Sequence, residues 1–69
     1  MLEVKKIWLT DDAVWIRTAD GREASELFAD YSPLRNATIA ELSDFKCSPF
    51  GIHWEKLDED LSFEGFFNH

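Results

Sequence analysis

Ile7-Trp-Leu-Thr-Asp-Asp-Ala-Val-Trp-Ile-Arg-Thr-Ala-Asp-Gly-Arg-Glu-Ala-Ser-Glu-Leu27 places alternating apolar and polar residues around two turn signals, Asp11-Asp12 and Asp20-Gly21. Alternation of period two marks a strand with one face against a core. Asp20-Gly21 predicts a two-residue hairpin turn, because glycine accepts positive φ without a steric penalty. That register sets Ala19 opposite Arg22, Ile16 opposite Ser25 and Val14 opposite Leu27. Asp11-Asp12 closes an earlier hairpin, with Leu9 opposite Val14, Trp8 opposite Trp15 and Ile7 opposite Ile16. The pairings predict an antiparallel three-stranded meander. Its apolar face carries Ile7, Leu9, Val14, Ile16 and Leu27; the other carries Lys6, Trp8, Trp15, Arg17, Ala24 and Glu26. Val4 falls out of step with Ile7, which predicts a bulge near Lys5-Lys6.

Downstream the pattern shortens. Ser32-Pro33 reads as the start of a brief helix, a capping hydroxyl before proline. Thr38-Ile-Ala-Glu41 is a capping box, in which hydroxyl and carboxylate satisfy free amides reciprocally, and it opens one or two turns through Leu42 to Asp44. Phe45-Lys-Cys-Ser-Pro-Phe-Gly-Ile-His-Trp54 alternates again about Ser48-Pro49-Phe50-Gly51, a type I turn sequence. It predicts a second hairpin with Phe45, Cys47, Ile52 and Trp54 inward and His53 outward. Asp58 or Asp60 is expected to cap a final short helix from Leu61, ended or weakened by Gly65. The chain thus reads as one α+β domain over residues 1–69: meander, short helical link, second β-hairpin and short C-terminal helix.

The last sixteen residues, 54–69, combine Trp54, Phe63, Phe66 and Phe67 with five acids, Glu55, Asp58, Glu59, Asp60 and Glu64, and the single base Lys56. They contribute −4 of the formal net charge of −7. Rings that must be buried beside carboxylates that must stay hydrated predict a docked terminal element with one charged rim. The remaining composition, 45% hydrophobic and 14% aromatic, is that of a globular chain. The excess of acids disfavours nonspecific phosphate binding, so a nucleic-acid partner is not expected and a basic protein is. Cys47 is the only cysteine, which excludes an internal disulfide and fits a reducing, cytoplasmic setting. The amino terminus mixes Glu3, Lys5 and Lys6 into its apolar residues, unlike a secretory signal, and no apolar run approaches a membrane span.

Candidate sites divide sharply. Trp8 and Trp15, flanked by Lys6 and Arg17, form the best binding feature, a stacking platform with cation–π support. Against it stands a second core layer covering the same face, the expected arrangement in so small a domain. Asp58, Asp60, Ser62 and Glu64 alternate faintly like a calcium loop, but Phe63 stands where the turn glycine belongs and the distal glutamate is absent. Cys47, His53 and His69 match no zinc spacing, so no metal or cofactor is expected; Cys47 reads as a small buried apolar group, and His69 as a mobile terminus. No serine lies in a nucleophile elbow, and the terminal carboxylates have no visible pocket to raise a pKa. An enzyme is not expected.

The string Ser48-Pro-Phe-Gly-Ile-His-Trp-Glu-Lys-Leu-Asp-Glu-Asp-Leu-Ser-Phe-Glu-Gly-Phe-Phe67 resembles the C-terminal signature of a small prokaryotic family, domain of unknown function 2442. The Asp20-Gly21 hairpin and Tyr31-Ser-Pro-Leu-Arg-Asn-Ala-Thr38 resemble it as well, so the likeness spans nearly the whole chain. The resemblance implies a compact bacterial α+β domain with no established reaction, often encoded beside another short gene as toxin–antitoxin pairs are. Some relatives carry a helix-turn-helix extension that this chain lacks.

These readings point to a small acidic noncatalytic interaction module, an antitoxin-like partner of a basic protein. Asp58, Glu59, Asp60 and Glu64 would meet its bases, with aromatic anchors Trp8 and Trp15. The alternatives are a structural or regulatory homodimer through the aromatic sheet face and, more weakly, a small-molecule or nucleic-acid binding domain.

Overall fold

A computed structural model describes residues 2–68; the expectation for His69 falls outside them. Strands β1 (Val4–Leu9), β2 (Ala13–Thr18) and β3 (Glu23–Leu27) form the N-terminal sheet in that order, antiparallel throughout. A 3₁₀ turn at Phe28–Asp30 leads to two short helices, α1 (Ser32–Arg35) and α2 (Ile39–Ser43). Strands β4 (Lys46–Cys47), β5 (Gly51–Trp54) and β6 (Glu59–Ser62) build a second antiparallel sheet, and a 3₁₀ turn, Glu64–Phe67, follows it. The fold is α+β, with the expected second hairpin enlarged to three strands.

The first hairpin matches its expected register: Ile7 pairs with Ile16, Trp8 with Trp15 and Leu9 with Val14, and the ladder shifts between Val4 and Lys6 as the bulge requires. The second is displaced by one residue. Ile16 faces Ala24 and Val14 faces Glu26, because the loop holds three residues, Ala19, Asp20 and Gly21. The Gly21 amide donates to the Thr18 carbonyl at 3.0 Å, the Thr18 amide donates to the Arg22 carbonyl at 2.9 Å, and Gly21 takes φ +90°. This is the three-residue hairpin closed by a glycine in the left-handed region. Asp20 steadies it, accepting the Thr18 hydroxyl and an Arg22 N–H at 3.0 Å. Slipping a strand by one position exchanges its faces. Leu27 is therefore 44% exposed on the outer face, whereas Glu26 is 6% exposed on the core side.

Three further expectations need correction. Ser32 caps nothing: Tyr31 occupies the N-cap position and Pro33 lies within the first turn. Asp58 and Asp60 cap no helix, because residues 59–62 pair with β5 instead; Leu61, opposite Ile52, alternates into the core and rewards an extended chain. Gly65 consequently lies inside the final 3₁₀ turn. Cys47 is exposed, since β4 is a short edge strand with both residues at the surface. The Thr38–Glu41 capping box forms as expected, with both reciprocal bonds present.

Val14 and Ile16 from the first sheet, Phe28, Leu34 and Leu42 from the link, and Ile52, Trp54, Leu61, Phe63 and Phe66 from the C-terminal third form one core. Trp54 is fully buried, and its indole N–H donates to the Leu42 carbonyl at 2.9 Å, fixing α2 to β5. A buried indole N–H without a partner would cost about 1–3 kcal/mol, so this bond makes the burial tolerable.

Candidate functional site

Trp8 and Trp15 are neighbours across β1 and β2 on the sheet face away from the core. Their rings stack with centroids 5.9 Å apart and planes 11° from parallel. The Lys6 ammonium lies 5.3 Å from the Trp8 centroid and the Arg17 guanidinium 5.6 Å. Cations at this distance are attracted to the negative π face, and they hold the Trp8 ring in place. Arg17 is itself fixed by Glu23, at 2.6 Å across β2 and β3. The second core layer expected over this face does not form: both indoles are only partly buried, and neither belongs to the core cluster. The register change adds exposed Leu27 to the same face.

The acids do not form one rim. Asp58 sits in the β5–β6 turn at φ 53°, in the left-handed region that aspartate tolerates better than most residues. Asp60 pairs across strands with the His53 imidazole, Nδ1 to Oδ1 at 2.5 Å. Glu59 alternates to the opposite side of β6 and is close enough to Tyr31 to influence its ionisation. Glu64 opens the final 3₁₀ turn, beyond the other end of β6. The aromatic pair and the terminal acids thus occupy separate sheets.

Bases and acids are nevertheless unequally engaged. Lys5, Arg17, Arg22, Lys46 and Lys56 pair with Glu3, Glu23, Asp20, Glu55 and Asp44. Lys6 lies over Trp8, and the Arg35 guanidinium donates to the Ala29 carbonyl at 3.0 Å. Among the described residues, Asp11, Asp12, Asp30, Glu41, Asp58, Glu59 and Glu64 have no basic partner, although Asp12 accepts from Thr10 and Glu41 from Thr38. The outward field is therefore negative, although the stacked indoles sit in a locally basic frame.

Glu26 is a residue that sequence reasoning placed on the wrong face. Its buried carboxylate accepts the Tyr31 hydroxyl. That bond, burial, and the nearby charges of Glu26, Asp30 and Glu59 push the Tyr31 phenol up to about 12. The Lys46 ammonium bound to Glu55 lowers that carboxyl, and partial desolvation by its neighbours raises the thiol of the otherwise exposed Cys47. The His53–Asp60 pair could have been found only by recognising residues 59–62 as a strand. An aspartate there orients the imidazole, but among the described residues no hydroxyl or thiol donates to that ring, so the pair serves as a cross-strand tie. No group of three or more His, Cys, Asp or Glu residues among those described is arranged to hold a metal ion. No helix is long and apolar enough to cross a membrane.

The family model described as "Protein of unknown function (DUF2442)" matches residues 4–69. The chain belongs to that family. No curated protein and no solved structure matches it.

Proposed function

We propose that the protein is a noncatalytic interaction module that binds a basic protein partner, acting in the bacterial cytoplasm in the manner of an antitoxin. The observation that carries this reading is the stacked Trp8–Trp15 pair on a face outside the core. Tryptophan is the residue most often found at the energetic centre of interfaces, where a large rigid ring is desolvated at low entropic cost. The acids without basic partners support a cationic partner by steering its approach, and Asp58, Glu59, Asp60 and Glu64 would meet its outer bases. The exposed thiol of Cys47 accords with a reducing compartment.

The test is co-expression with the product of the neighbouring gene, followed by affinity capture at low and moderate salt. A complex that weakens with salt and loses about 2 kcal/mol or more in Trp15→Ala is expected. No complex at either ionic strength defeats the reading. The stacked aromatic pair would also suit a second copy of the chain, forming a homodimer. Sedimentation decides between them: a wild-type monomer at high concentration removes the homodimer.

A further inference from the structure

The two sheets end differently at their two flanks. On one, the C-terminal 3₁₀ turn touches both β3 and β6, the edge strands there. On the other, β1 and the β4 region leave a groove of about 640 Å³, large enough for a short peptide or a drug-sized molecule. Residues 2–7 line it in unbroken succession. Successive residues of a strand point to opposite faces. A groove touched by every one of them therefore runs along the strand's edge. β1 is an edge of its sheet, so its outward amides and carbonyls face that groove with no strand beside them among the described residues. Phe45 and Phe63 supply the apolar wall, and Phe63, 5% exposed, belongs to the core itself.

We infer that this groove is a strand-addition site for an extended, acidic segment of a partner protein. The segment pairs with the β1 edge, lays alternate apolar side chains against Phe45 and Phe63, and brings carboxylates to Lys5 and Lys6. Lys5-Lys6 is the only place in the sequence where two bases adjoin, and within the groove they face the single acid Glu3. The Lys5–Glu3 bridge is 3.3 Å long with both side chains more than 60% exposed, so it yields readily to a competing carboxylate. The occupant is read as an acidic segment because the groove carries two adjoining bases against one acid. The bulge between Val4 and Lys6 restricts the added ladder to a short one. The groove shares only Lys6 with the Trp8–Trp15 face, over whose Trp8 ring that ammonium lies, and its partner chemistry differs, so either proposal can fail alone.

Cys47 lines the groove, is exposed and is the only cysteine, which makes it a native reporter. The probes are two peptides of strand length, about six residues, one alternating valine with aspartate and the other valine with lysine. Each is added to the wild-type chain while the rate of Cys47 alkylation by iodoacetamide and the amide exchange of β1 are followed. The acidic peptide is expected to slow both, and to bind about tenfold more tightly than the basic one, the effect of two partly exposed charge contacts. The variant Lys5→Glu changes one exposed side chain and leaves Lys6 over Trp8; with near-ultraviolet circular dichroism unchanged, it should remove that preference. Equal binding of both peptides, or no protection of Cys47 by either, overturns the proposal. So does protection that grows with protein concentration in the absence of peptide, which would assign the groove to a second copy.

Discussion

The two three-stranded sheets use tryptophan in opposite ways. In the C-terminal sheet Trp54 is wholly enclosed, its indole bonded to the Leu42 carbonyl, and strands of only two to four residues pack around it. In the N-terminal sheet strands of five and six residues make a longer ladder, and Trp8 and Trp15 stack on its outer face. The short sheet depends on its side chains. The long one has backbone pairing enough to leave two large rings outside the core. Three indoles in 69 residues are a scarce source of apolar burial, so leaving two at the surface argues for a use beyond stability.

The strongest way to break that contrast is Trp54→Ala. It removes the largest fully buried side chain and frees the Leu42 carbonyl, with an expected loss of about 3–5 kcal/mol. Urea unfolding should show a much lower midpoint, since total stabilities of small domains are roughly 5–15 kcal/mol. A variant as stable as wild type would deny the C-terminal sheet its dependence on this ring. Gly51→Ala is next. A Cβ at position 51 would lie 2.3 Å from the Leu61 carbonyl oxygen, a backbone atom with no rotamer to change. Forcing β5 away from β6 should cost about 2 kcal/mol, read as a lower urea midpoint.

Legibility followed the same division. The β1–β2 register could be read because two independent signals, the aromatic alternation and the Asp11-Asp12 turn, agree on it. The β2–β3 register could not. Asp20-Gly21 suits a two-residue turn as well as the last two positions of a three-residue one, and only the Thr18 hydrogen bonds decide. That single residue moved Leu27 outward and Glu26 inward, and with them part of the candidate surface. Residues 59–62 were misread because their acids resemble a helix start; the partner that makes them a strand, β5, is a long-range choice that local propensity does not encode. Trp8, Trp15, Lys6 and Arg17 were legible as a cluster, being close in sequence and joined by a tight turn. The groove at the β1 edge was not, because it depends on where β4 and Phe63 come to lie.

Tyr31 and Glu26 link the meander to the helical segment, and their bond sharpens the comparison from the N-terminal side. Tyr31→Phe removes one hydrogen bond to a buried carboxylate and should cost on the order of 1–2 kcal/mol. The same bond fixes a pH dependence. The phenol is raised to about 12 in the folded chain, against roughly 10 for an unperturbed tyrosine. Its contribution is complete below about pH 10 and is lost as pH climbs through 12. Tyr31 is the sole tyrosine, so phenolate absorbance reads it directly. A midpoint near 10 would show that the bond to Glu26 does not hold in solution. In the adjoining hairpin Gly21→Ala forces a Cβ into φ +90°, where nothing obstructs it but the backbone is strained. About 1 kcal/mol is expected, less than at Gly51, where a Cβ meets backbone.

Trp15→Ala should cost less stability than Trp54→Ala, because the Trp15 ring closes no core. It removes an aromatic pair worth about 0.5–1.5 kcal/mol beyond area, on a face that seals no core. It also frees the Trp8 ring, whose cation contacts with Lys6 and Arg17 remain. Because Trp54 should cost several times more, the ratio of the two urea-derived losses measures the contrast between the sheets directly. If Trp15→Ala unfolds the chain as Trp54→Ala does, the outer face is part of the scaffold, and an interface there loses its physical basis. If stability is nearly kept while capture of the basic partner fails, the rings have been left outside the core for contact.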